Sequence, residues 1–153
     1  MSHARAYLPR MTVTDIELSR AMAEDAVGYF LAAKKVAAGE SPVTIIAHFR
    51  MPLNFLLGQC CELALKSMLT AKGWDRKRLD PIRHDLVGLR DAAIGEGITV
   101  TSEFADYCKI MGDAHKEFHF RYSGRASPAW IGHDSAFAMI APQLRTIAPY
   151  GGI

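Results

Sequence analysis

The sequence predicts an all-α fold, an up-down helical bundle of about five helices, on three observations. Apolar residues recur at helical spacing along every long segment, and no sustained two-residue alternation runs anywhere. Capping residues, some followed by proline, stand ahead of these segments, and glycines stand behind several of them. The connections are short, which favours antiparallel neighbours. The 153 residues are expected to form a single helical-bundle domain with an irregular segment over 1–12. A chain of this length can bury about two-thirds of its unfolded surface.

In chain order, Thr14-Asp15-Ile16-Glu17 reads as a capping box. It opens a helix carrying Ile16, Leu18, Ala21, Ala26, Phe30, Leu31 and Ala33, which is expected to end near Ala38, before Gly39. Ser41-Pro42 restarts a helix with Ser as cap and Pro at the first helical position. Pro52 predicts a kink or short break around residues 49–52. The stretch Leu53–Lys72 is apolar on most of its circumference and Gly73 follows it, so it predicts the central, most buried helix. At about 20 residues it would be roughly 30 Å long, enough to cross a small domain.

Asp80-Pro81 repeats the cap-then-proline signal ahead of Ile82, Leu86, Leu89 and Ala93, with Gly95 and Gly97 as terminators. Thr101 is placed to cap a helix bearing Phe104, Tyr107, Cys108, Ile110, Met111, Ala114 and Phe118, which loses its pattern at Tyr122-Ser123-Gly124. Residues 125–133 read as loop. Asp134 is the expected cap of a last helix with Phe137, Ile140 and Leu144, kinked at Pro142 and broken at Pro149.

Half of the residues are hydrophobic (50%), 22% are charged and the net charge is +2. That charge is too small for binding to nucleic acid or a membrane through bulk field alone. The three cysteines show no CxxC or Cys/His zinc spacing, and residues 1–15 lack an apolar signal segment. A cytoplasmic, reduced protein with no membrane partner is expected.

Four groups of residues can carry chemistry. Glu62 and Lys66 form an i,i+4 pair on the central helix, either a solvated edge or part of a site. The connection after that helix is basic, with Lys72, Arg76, Lys77, Arg78 and Arg83 around Trp74 and ahead of His84. Cations there can neutralise phosphates and the indole can stack a base; the other reading is a solvated loop. His84 is expected in the first turn of its helix. His115 and His119 share a helix face at a metal-binding spacing, and His48 is a third candidate ligand. Lastly, Arg121, Tyr122 and Arg125 close the fourth helix, where cations meet the negative dipole end. No P-loop, GxGxxG or GxSxG motif is present.

Read together, Glu62-x-x-x-Lys66-x-x-Leu69 with Gly73, His84-Asp85-Leu86-x-x-Leu89, and Phe120-Arg121-Tyr122 resemble the HEPN superfamily (higher eukaryotes and prokaryotes nucleotide-binding domain). The resemblance covers roughly residues 50–125. It implies a helical bundle, a homodimer, and a role in nucleotide or RNA binding, as in toxin-antitoxin and defence systems or beside a nucleotidyltransferase partner. Ribonuclease members carry Arg-x4-6-His late in the bundle. Here the matching spacing is Arg78-x5-His84, in a loop, and Ser123 stands where proline is usual. The resemblance therefore implies a nucleotide- or RNA-binding or accessory module with no cofactor. Were it catalytic, it would be a metal-independent endoribonuclease. His84 would then move a proton and Arg78 or Arg121 would hold phosphorane charge; in non-catalytic binding the same cations would hold phosphates, and Glu62 and Lys66 would orient the neighbouring loop or His84. Two other readings stand beside it: a DinB-like metal-dependent enzyme using His48, His115 and His119, and a non-catalytic dimeric interaction protein.

Overall fold

The computed structural model describes residues 13–117 and 130–153. Among them there is helix but no strand. Five longer helices, α1 (Val13–Ala37), α3 (Arg50–Ala71), α5 (Leu86–Gly95), α6 (Ser102–Lys116) and α7 (His133–Ile147), are joined by short α2 (Pro42–Thr44) and α4 (Arg76–Leu79). The all-α bundle is as expected.

The helix α3 is the axis of the molecule. It packs on α1, α5, α6 and α7, and Leu53, Leu57, Leu65 and Leu69 are all but inaccessible. Burying each such side chain contributes about 1.5–3 kcal/mol. The helix stops where Gly73 adopts a left-handed φ of 89°, the conformation glycine reaches without a Cβ clash. Against it lies α1, where Ser19 Oγ donates to the Ser67 carbonyl (2.9 Å) and Ser67 Oγ donates back to the Ser19 carbonyl (2.8 Å). Contact between the start of α1 and the end of α3, with residues 38–49 joining their other ends, makes the pair antiparallel.

Capping decides the remaining boundaries. Ser41 caps α2 by accepting from the Thr44 amide (3.1 Å), and Thr101 caps α6 through the Phe104 amide, both as read from the sequence. The break expected at residues 49–52 falls one turn earlier, as a π-helical turn over Ile45–Phe49. This wider turn takes up the register that Pro52, lacking an N–H, cannot hold. Helix α1 already includes Val13, one residue ahead of the expected Thr14 cap.

Two caps differ more. Asp80 does not open α5: it closes the short α4, its amide bonding the Arg76 carbonyl. The cap of α5 is Asp85, which accepts from the Gly88 amide at 3.0 Å. Between them Arg83 has φ 54°, which no helix accommodates. His84 therefore stands just ahead of the cap, not in the first turn. Likewise α7 begins at His133 after Gly132, with Asp134 inside its first turn, and it continues through Pro142. Buried Gln143 accepts from the Thr101 amide (2.8 Å) and donates to the Thr99 carbonyl (3.3 Å), which ties the α5–α6 connection to α7. All three cysteines are free and buried. No helix among the described residues is long and apolar enough to cross a membrane.

Candidate functional site

The charged stripe on α3 is not solvated. Asn54, Gly58, Glu62 and Lys66 follow one another at four-residue spacing, so they line one face of the helix. That face meets α6 and the loop before α5, and Glu62 is 4% exposed. Its carboxylate gathers three donors. Lys66 Nζ lies 2.6 Å from Oε1, while His115 Nε2 (2.8 Å) and His84 Nδ1 (2.9 Å) converge on Oε2. Burial alone would raise the Glu62 carboxyl. The bonds from His115, Lys66 and His84 together outweigh it and hold the group at about 2. An ionised carboxylate only accepts, so both imidazole nitrogens donate to it.

Local structure places each partner. His115 comes from the last turn of α6 and is buried. Its ring lies so close over α3 that a Cβ on Gly58 would overlap it, so glycine is what admits the histidine. His84 is delivered by the turn at Arg83, with its side chain 31% exposed. It borders a recess of about 530 Å³ lined also by Pro81, Ile82, Arg83, Asp85, Gly88 and Lys116. Arg83 is exposed at this recess. Lys116 Nζ is bonded to Asp85 (3.1 Å). Burial tends to raise the Asp85 carboxyl, but the Gly88 amide and Lys116 bring it below the usual range. A second recess, about 400 Å³ between α1 and residues 147–151, is walled largely by Ala23, Val27, Ile147 and Tyr150.

The basic connection forms a separate cluster. Lys72, Arg76, Lys77 and Arg78 are exposed around α4. The Arg78 guanidinium lies 3.9 Å from the centre of the Trp74 ring and donates to Glu96 Oε1 (2.9 Å), which also accepts from Trp74 Nε1 (2.8 Å). One face of the indole is therefore covered, and Arg78 is engaged there. Arg76 is paired with Asp80 at 3.4 Å.

Of the sequence candidates, the structure brings together Glu62, Lys66, His84 and His115. It does not join His115 with His48. His48 is exposed on the π-helical turn, and among the described residues the one group of metal-ligand type is Glu62, His84 and His115. His119, Arg121, Tyr122 and Arg125 lie outside the described residues. The link from His115 to Glu62 spans 53 residues, and helical periodicity alone does not reveal it. The signal that could have found it is Gly58, a glycine inside the most apolar helix, one turn before a glutamate. No family model, curated protein or solved structure matches the chain.

Proposed function

We propose that this chain is a HEPN-like, nucleotide- or RNA-binding helical module that takes phosphate at the recess bordered by His84 and Arg83. One observation carries the reading: Glu62 and His84, which belong to two separate motifs of the resemblance, meet at 2.9 Å. The carboxylate fixes the ring through Nδ1, and the ring borders a recess with an exposed guanidinium beside it. Arginine suits this task because its planar fork matches phosphate oxygens two at a time. Lys66, on the far oxygen of Glu62, balances the buried charge that holds the ring in place. Exposed Lys72 and Lys77, before and on α4, extend the positive surface for a polyanion. A homodimer within a toxin-antitoxin or defence setting belongs to the same reading.

Fluorescence anisotropy with a labelled mixed-sequence RNA oligonucleotide at low salt tests it. The protein should bind, affinity should fall as salt rises, and Arg83→Ala should weaken binding about fivefold, roughly 1 kcal/mol. Absence of binding, or an Arg83→Ala protein indistinguishable from wild type, would refute the recess as the phosphate site.

A further inference from the structure

We propose that Glu62 Oε2, His84 Nδ1 and His115 Nε2 form a binding site for one divalent first-row transition-metal ion of the Zn²⁺ type. The three ligand atoms lie within 4.8 Å of one another, and both nitrogens point at the same carboxylate oxygen. Metal–ligand bonds of about 2.0–2.1 Å put neighbouring ligand atoms roughly 3.3 Å apart in a tetrahedral shell. Admitting the ion opens the two nitrogen–oxygen contacts, 2.8 and 2.9 Å, by about 0.5 Å each and brings the two nitrogens, which lie within 4.8 Å of each other, to the same spacing. Two imidazoles and one carboxylate suit zinc and its neighbours better than calcium or magnesium, which prefer all-oxygen shells.

The surroundings are those of a three-ligand site with a position to spare. Lys66 occupies Glu62 Oε1, leaving Oε2 as the single ligating oxygen. Gly58 makes the room in which the His115 ring sits. Bound to the ion, each imidazole is a neutral ligand and carries its proton on the other nitrogen, Nε2 in His84 and Nδ1 in His115. With Glu62 offset by Lys66, the loaded centre carries a net charge of about +2, which favours an anion in the open position. His84 places that position beside the recess that Arg83 also borders. As a purely structural device the cluster gains little, because a buried ion pair roughly breaks even against apolar packing. Metal uptake does not depend on the phosphate-binding reading; only the choice of anion does.

The experiment is a Co²⁺ titration of chelator-stripped protein, followed by visible absorption and by competition with Zn²⁺, with no nucleic acid present. Wild type should take one equivalent with tetrahedral bands, and exposed His48→Ala should match it. His84→Gln, altered in a half-exposed loop and checked for folding by circular dichroism, should bind at least tenfold more weakly. X-ray absorption of the zinc-loaded wild type should show two imidazoles and carboxylate oxygen. Failure to take up Co²⁺, undiminished uptake by His84→Gln, or a shell containing sulfur or fewer than two imidazoles overturns the proposal. A protein that takes metal but no RNA fails the phosphate reading alone, and the reverse result fails the metal site alone.

Discussion

Glu62 and Glu96 are both carboxylates that gather several donors, and they differ in their access to water. Glu62 holds Lys66, His84 and His115 with its side chain 6% exposed, while Glu96 holds Trp74 and Arg78 with its side chain 34% exposed. The bond lengths are nearly alike, 2.6–2.9 Å in the first cluster and 2.8–2.9 Å in the second. Hydrogen-bond geometry therefore does not separate them. Desolvation does, because water can take over the bonds of Glu96 far more readily than those of Glu62.

The largest expected effect comes from breaking the buried cluster. Glu62→Ala leaves buried His115, and the partly exposed Lys66 and His84, without their acceptor and should cost about 3–5 kcal/mol in urea unfolding. Next is acid. The unperturbed Glu62 carboxyl has a value of 4.5 and the folded one about 2. Because the folded value is the lower, its stabilising contribution is fully present above pH 4.5 and is lost as pH falls towards 2. The contribution is at most about 3 kcal/mol. Unfolding free energy measured from pH 5 to pH 2 should fall more steeply in wild type than in Glu62→Gln.

A third change strikes the packing that admits His115. Gly58→Ala should destabilise by about 1–3 kcal/mol through overpacking, even though alanine gains about 1 kcal/mol of helix propensity. In a His115→Ala background the same substitution should become neutral or stabilising, because the ring it meets is gone. A double-mutant cycle showing simple additivity would contradict the overlap seen here. The smallest effect should be at the exposed cluster. Glu96→Gln is expected to leave the unfolding midpoint within experimental error while shifting Trp74 emission, read in a Trp130→Phe background that removes the second of the chain's two tryptophans.

The same contrast explains what the sequence could reveal. Apolar spacing located α3, and local chemistry located the caps at Ser41 and Thr101, because both depend on residues a few positions apart. Asp80 and Asp85 show where that logic fails. Both are good caps, and the left-handed turn at Arg83, which no propensity announces for arginine, decides between them. Glu62 and Lys66 were visible as a pair, but their burial depends on what α6 and the 81–85 loop lay over them. The spacing of His115 invites pairing with His119, but no spacing announces Glu62, which the fold places against its ring from 53 residues away. Long-range partners of this kind are set by packing and not by periodicity.

The turn at Arg83 sets stability and binding against each other. A left-handed conformation costs a non-glycine residue about 1 kcal/mol, and here it falls on an exposed cation of the recess. Arg83→Gly should therefore raise the melting temperature while weakening RNA binding. Selection for thermal tolerance alone would be expected to erode this position first, and a stabilised variant of the protein should be screened for ligand binding before that substitution is kept.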